Sequence, residues 1–250
     1  MIRVLKIGGS ILTDKTRAAG ARPEEIERVA GEIAADSRNL VLIHGAGSFG
    51  HIPARRYGLP ERFSPEGLLV THRSVVELND LVVRALGREG VDAMPVHPFS
   101  CVLLQDGRIR SFATEILSEM IERGLLPVLH GDVAMDVARG AGIVSGDQLV
   151  PYLARALRAS VVAIGTDVEG VLLSGRALPA IMRSDMPLFE SALVGSTGVD
   201  VTGGMKGKLL ELLDLSDDGF SSVIFDASCP GNIARALQGE TVGTRVGSPP

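Results

Sequence analysis

Several common signatures of function are missing from this 250-residue chain. It has two cysteines, Cys101 and Cys229, far apart and without the short spacing of a metal knuckle or a redox pair, so both are expected to be reduced thiols in the core. No basic run interrupts a balance of 25 Lys+Arg against 30 Asp+Glu, and at a pI near 5.6 there is no electrostatic footprint for nucleic acid. No apolar stretch approaches the roughly 20 residues that span a bilayer. The N-terminus runs directly into an apolar strand pattern instead of a leader peptide, so a cytoplasmic protein with no membrane partner is expected. The glycine pattern closed by Gly-Lys-Ser/Thr is absent, and no serine has the spacing of a hydrolase nucleophile and its base. Linkers, repeats and low-complexity tracts are also lacking, which favours one domain of two lobes over two separate domains.

What is present is a set of strand ends rich in glycine and charge. The apolar run from Ile2 to Leu5 leads into Lys6-Ile7-Gly8-Gly9-Ser10. Glycines let a backbone approach an anion with its N–H groups turned inward, and Lys6 adds a positive charge at the same place. On its own this is only a turn. Leu40-Val41-Leu42-Ile43-His44 then enters a second glycine loop, Gly45-Ala46-Gly47-Ser48-Phe49-Gly50-His51, which opens a helix. Such a helix start concentrates free N–H donors and the positive end of the dipole.

Two further regions repeat the pattern. Leu125 to Asp132 ends in His130-Gly131-Asp132 and is followed by Ser145-Gly146-Asp147-Gln148, where Ser145 caps a helix and Asp147 falls in its first turn. Val161 to Gly165 runs into Thr166-Asp167-Val168-Glu169-Gly170, and Asp200-Val201-Thr202-Gly203-Gly204-Met205-Lys206-Gly207-Lys208 opens a helix carrying two lysines. In an open α/β sheet ligands collect beyond the carboxyl ends of the strands. Four such ends here carry glycine and charge together.

Hydrophobic patterning predicts strands near residues 2–7, 40–44, 92–96, 125–130, 161–165 and 222–226. It predicts helices near 23–35, 48–57, 66–88, 114–123, 147–158, 205–213 and 231–237. The regions 106–111 and 132–142 read as hairpins or loops, and 173–193 has no clear pattern.

In these motifs the chain resembles the amino acid kinase superfamily, over residues 2 to about 246, and within it the isopentenyl phosphate kinases. The resemblance implies an α/β fold, a three-layer αβα sandwich with a mainly parallel central sheet. It also implies an acceptor-binding lobe at about 1–145 and a nucleotide-binding lobe at about 146–250. The implied reaction is ATP-dependent phosphorylation of isopentenyl phosphate in isoprenoid precursor synthesis, with ATP as co-substrate, Mg2+ held by nucleotide oxygens and water, no protein metal ligand, and a homodimer built partly by the 66–88 helix.

By the same resemblance, Lys6 contacts the transferring phosphoryl group while the amides of Gly8, Gly9 and Ser10 take nucleotide phosphates. Lys15 stabilises transition-state charge, Asp147 orients the catalytic lysines, and Lys208 meets the ATP phosphates. Thr166, Asp167, Gly203 and Gly204 lie on the nucleotide side. Ala46 and Gly47 stand at the boundary, with His51 and the Gly131 N–H on the acceptor's phosphate. Thr71-His72-Arg73-Ser74-Val75 with Leu78-Asn79 also resembles the isopentenyl phosphate kinase subgroup, and Val70, Val75, Met94 and Phe99 are candidates for a pocket around the acceptor's apolar tail. Two alternatives stay open: a kinase of a small phosphonate such as fosfomycin, and a non-catalytic nucleotide- or oxyanion-binding member of the fold.

Overall fold

The computed structural model describes residues 1–14, 16–173, 175–187 and 203–247. The first strands of the central sheet are β1 (Arg3–Ile7), β2 (Leu40–His44), β3 (Ala93–Pro95), and, after a hairpin of β4 (Val102–Gln105) and β5 (Arg108–Phe112), β6 (Leu126–His130). A second hairpin, β7 (Asp132–Asp136) and β8 (Gly140–Val144), precedes β9 (Val161–Thr166). The short β10 (Leu172–Leu173), β11 (Arg176–Ala177) and β12 (Ala180–Ile181) follow, then β13 (Ser222–Asp226) and β14 (Gly243–Val246). The central sheet has eight strands in the order β12-β14-β13-β9-β1-β2-β6-β3, and only the β13–β14 pair is antiparallel. A separate four-stranded sheet has the order β5-β4-β7-β8.

The helices are α1 (Gly9–Leu12), α2 (Pro23–Ala34), α3 (Gly47–Arg56), α4 (Pro65–Arg88), α5 (Pro98–Cys101), α6 (Glu115–Glu122), α7 (Gly146–Ala156), α8 (Gly203–Asp217) and α9 (Asn232–Leu237). They divide between the two faces of the sheet because alternate residues of a strand point to opposite sides. On β1, Val4 joins the core cluster that holds Leu149 and Leu153 of α7 and Leu209 and Leu212 of α8. Leu5 and Ile7 join the other, with Ile26 and Ile33 of α2, Leu78 and Val82 of α4, and Ile233 of α9. The result is the expected three-layer sandwich with a mainly parallel sheet. Lys6 shares the phase of Val4 and therefore points toward α7, whereas His44 shares the phase of Leu40 and Leu42 and points toward α4.

The predicted elements are all present, with ends shifted by a few residues. Patterning missed β14, whose four residues are too short to alternate visibly, and the small strands between 172 and 181. The 132–142 region is a true hairpin, and residues 188–193 lie outside the described residues. One expectation is corrected: Cys229 is exposed and Cys101 only half-buried, so they are not a pair of core thiols, although both are free. Cys229 lies in the turn between β13 and α9, at the surface. Burial pushes the Cys101 thiol up to about 11. No described helix is long and apolar enough to cross a membrane.

Asp136 ties the β4–β5 and β7–β8 turns together. Its carboxylate accepts from the N–H groups of Asp106 (3.2 Å), Gly107 (2.6 Å), Ala138 (2.8 Å) and Arg139 (3.0 Å). Burial alone would raise its pKa, but these four donors outweigh it and hold the carboxyl below its ordinary value of 3.8. The stabilisation is therefore complete above that value and is lost as the pH falls through the lower native pKa. Asp136→Asn puts an amide N–H against the Gly107 N–H and is expected to lower Tm near neutrality. The Tm difference from wild type should narrow on acidification below about pH 4, measured by thermal melts across pH.

Candidate active site

Three helix starts, those of α1, α3 and α7, and the carboxyl ends of β1, β2, β6 and β9 converge on one cavity of about 530 Å³, which α8 joins through Met205 and Lys208. Convergence requires the loops after β1 and β2 to touch. A Cβ on Gly9 would stand 2.4 Å from the Gly47 nitrogen, and one on Gly45 would stand 2.5 Å from the Gly9 nitrogen. Only glycine permits this approach. Buried Thr13 closes the joint: its hydroxyl donates to the Gly9 carbonyl (2.7 Å) and accepts from the Ser48 N–H (3.1 Å). The starts of α1, α3 and α7 thereby line the same space, a concentration of positive potential suited to phosphate.

Within the cavity two ammonium groups share one carboxylate. Lys6 Nζ donates to Asp147 Oδ1 at 2.8 Å, and Lys208 Nζ donates to Oδ1 and Oδ2 at 2.9 and 3.0 Å. Lys6 is 5% exposed and Lys208 9%. Asp147 is placed by the α7 start, where Ser145 Oγ accepts from the Gln148 N–H as the sequence suggested. Burial drives the Lys6 pKa down to about 8, with the Asp147 carboxylate opposing and the Lys208 charge adding to the shift. Burial alone would raise the Asp147 carboxyl, but the Lys6 and Lys208 charges outweigh it and hold the group below its ordinary range. Two cations on one anion leave one net positive charge facing the cavity, the requirement for a group that spreads negative charge as it transfers.

The other predicted residues fall around the same space. Gly8, Gly9, Ser10, Ala46, Gly47, His51, Gly131, Thr166 and Asp167 all line the cavity. Gly203 and Gly204 begin α8, the helix that carries Lys208. Lys15, and residues 200–202 of the Asp200 to Lys208 motif, lie outside the described residues. Two N–H groups expected on phosphates are already used: Gly8 donates to the Gly165 carbonyl (2.8 Å) and Gly131 to the His44 carbonyl (3.0 Å). This corrects both expectations, because the parallel ladders continue one residue past the ends of β1 and β6. The Thr166 hydroxyl is engaged by the carbonyls of Val168 and Phe225.

Gly131 serves the cavity through what it lacks. A Cβ there would lie 3.4 Å from the Ala46 nitrogen and 3.7 Å from the Gly146 nitrogen, in the space between two helix-start amides. Two backbone nitrogens beside an open space suit an oxyanion, and the exposed His51 lines the same cavity. The same cavity has an apolar lining from Ile52, Ala54, Val75, Val133 and Ile143. Of the four candidates for a tail pocket only Val75 lines the cavity. Val70 and Met94 are exposed at the surface, and Phe99 packs against the His72 ring.

Sequence reasoning missed a polar cluster that meets the cavity at Asp132. Buried Asp132 accepts from His72 Nδ1 (3.0 Å) and from the Phe99 N–H (3.2 Å). His44, His97 and His130 lie beside it, so four of the five histidines form one cluster. A usable signal existed for the lysines: the chain contains only four, Lys6, Lys15, Lys206 and Lys208, among 25 basic residues. Every other Lys/Arg residue is arginine; Lys6, Lys206 and Lys208 fall in the glycine-loop motifs and Lys15 five residues past the first.

The amino acid kinase family model matches residues 1–226. An isopentenyl phosphate kinase of Methanothermobacter thermautotrophicus is 38% identical, with 97% of this chain and 98% of that one aligned. One of Methanocaldococcus jannaschii is 35% identical, with 98% of each chain aligned. A crystal structure of an isopentenyl phosphate kinase superposes with a TM-score of 0.86 at 34% identity, covering 98% of this chain and 100% of the other.

The lysine pair makes a pH signature. The kcat/KM for ATP, which reports the free enzyme, is expected to decline at alkaline pH with an apparent pKa of about 8 as Lys6 loses its proton. Asp147→Asn removes the charge that opposes Lys6 deprotonation, so the alkaline limb should move to lower pH and kcat should fall by about 100-fold or more. Steady-state rates measured across pH on both proteins check this, and an unmoved limb would contradict the assignment to Lys6.

Proposed function

Since the chain belongs to the amino acid kinase family, we propose that it transfers the γ-phosphoryl group of ATP directly to isopentenyl phosphate, giving isopentenyl diphosphate and ADP. The observation that carries this reading is one cavity lined by the Lys6, Asp147 and Lys208 charges, by the glycine-loop and helix-start residues and by apolar side chains. Its relatives' shared activity supports the same acceptor.

The chemistry asks little of the protein beyond placement. A phosphate monoester is largely dianionic near neutrality, since its second pKa is about 6, so the attacking oxygen needs no general base. The obstacle is repulsion between two anions. Lys6 and Lys208 oppose it at the transferring group, with Lys15 as a further positive charge, and Asp147 keeps the two ammonium groups in register. The N–H groups of Gly9 and Ser10 serve the nucleotide phosphates, alongside Gly47, Thr166, Asp167, Gly203 and Gly204. His51 donates to the acceptor's phosphate and Ala46 adds its N–H. The five-carbon tail lies along Val75, Val133 and Ile143, where burial contributes roughly 0.8 kcal/mol per methylene.

Magnesium travels with the nucleotide in this reading. The Asp147 carboxylate is taken up by two lysines, and among the described residues no group of three or more His, Cys, Asp or Glu is gathered for a metal. Phosphate oxygens and water are its natural ligands. The acceptor lobe comprises about 1–145 and the nucleotide lobe about 146–250, in a cytoplasmic enzyme. A homodimer would cover the exposed Leu69 and Leu81 of α4 and Met94 of the β3 edge.

Purified protein with Mg-ATP and isopentenyl phosphate, followed by phosphorus NMR beside a parallel reaction with fosfomycin, tests the reading. A diphosphate product at far higher kcat/KM in the first reaction is expected, and turnover in the second alone would overturn it. In the same assay His51→Ala should raise the KM for isopentenyl phosphate roughly 10- to 100-fold, the loss of a hydrogen bond to a charged group, with the KM for ATP little changed.

A further inference from the structure

His44 and His130 end adjacent parallel strands in register, and their rings stack with centroids 5.6 Å apart. Both are wholly buried. Each places Nδ1 at 3.1 Å from the carbonyl oxygen of the glycine that follows it, Gly45 or Gly131. A carbonyl oxygen only accepts, so Nδ1 carries the proton on both rings and Nε2 is left as an acceptor.

The neighbours agree with that tautomer. His130 Nε2 lies 2.9 Å from His97 Nδ1, which donates to it. His44 Nε2 lies 3.0 Å from Asn79 Oδ1; turned end for end, the same amide donates to Nε2 through its nitrogen. With Oδ1 toward an Nδ1–H imidazole, two acceptors meet and the buried Asn79 Nδ2 has no partner, so the turned amide is the orientation that satisfies both groups. Burial pushes both imidazoles below the usual histidine range, so neither ring gains a second proton near neutrality.

With these grips both glycines are pinned at both ends. Gly45 donates its N–H to the Ile7 carbonyl (2.9 Å) and Gly131 to the His44 carbonyl (3.0 Å), while their own carbonyls are held by the imidazoles. A peptide unit is planar, with its C=O and the following N–H opposed. Drawing the Gly45 carbonyl back toward α4 therefore turns the Ala46 N–H the other way, toward the space above Gly131.

We propose that His44 and His130 are positioning residues of the acceptor site, buried imidazoles whose Nδ1–H groups hold back the Gly45 and Gly131 carbonyls: His44 thereby aims the Ala46 N–H into the phosphate cradle, and His130 fixes the Gly131 that leaves the cradle open. The proposal rests on the reaction assigned above. It separates hydrogen bonding from ring packing, because phenylalanine keeps the ring without the donor, whereas asparagine places an amide N–H near the Nδ1 position.

His44→Phe and His130→Phe are expected to raise the KM for isopentenyl phosphate about five- to tenfold, the loss of one neutral hydrogen bond, while the KM for ATP holds. The corresponding Asn variants recover most of that loss. Nitrogen-15 NMR of the histidine side chains in wild type should show both rings in the Nδ1–H tautomer. Addition of inorganic phosphate should shift the Ala46 amide in wild type and His44→Asn but not in His44→Phe, and this readout needs no turnover. Silence with isopentenyl phosphate would sink the proposed reaction and leave the phosphate titration to decide the positioning role. Nε2–H tautomers, equal losses in the Phe and Asn variants, or an Ala46 shift that survives His44→Phe would each overturn the proposal.

Discussion

The site depends on a backbone contact between the loops that follow β1 and β2. Gly9, Gly45 and Gly47 meet at distances no side chain could tolerate, and that contact brings the α1 and α3 starts to one point. Thr13 holds the joint from beneath with one hydroxyl. Separate the loops by the width of a methyl group and the helix starts no longer converge, whatever lysines remain nearby.

Charge is arranged on this frame with the same economy. Lys6 is nearly inaccessible and carries its proton with difficulty, and Asp147 is the group that opposes its loss. The three charges form a unit. Removing the carboxylate would leave two ammonium groups facing each other in a poorly hydrated space, a cost much larger than that of an exposed pair. A net positive charge then remains for phosphate, and the apolar lining of the same cavity gives a chemically distinct place for the rest of the acceptor.

Much of this was legible in the chain. Apolar runs ending in glycine marked β1, β2, β6 and β9, and Ser145 before Asp147 marked the start of α7. The motif order suggested a shared cavity, and nine predicted residues line it together with Lys6, Asp147 and Lys208. Other expectations failed for local reasons. Gly8 and Gly131 were read as free donors because sequence does not show where a parallel ladder stops. Val70 and Met94 were candidates for the tail pocket because an apolar residue on a helix or at a sheet edge does not declare its facing.

The sequence by itself determined the alternation of strands and helices, the glycine positions where backbones meet, and the few lysines available to handle phosphate. These follow from local periodicity and residue chemistry, which neighbours along the chain suffice to express. Only the tertiary structure decided that Lys6 and Lys208 share Asp147, across 141 and 61 residues of chain. It alone stacked His44 on His130 behind the glycine loops and brought Val75, Val133 and Ile143 to one cavity. The physical reason is that side-chain phase on a strand selects a face, but which groups meet there depends on sheet order and helix packing, set by the burial of two cores at once.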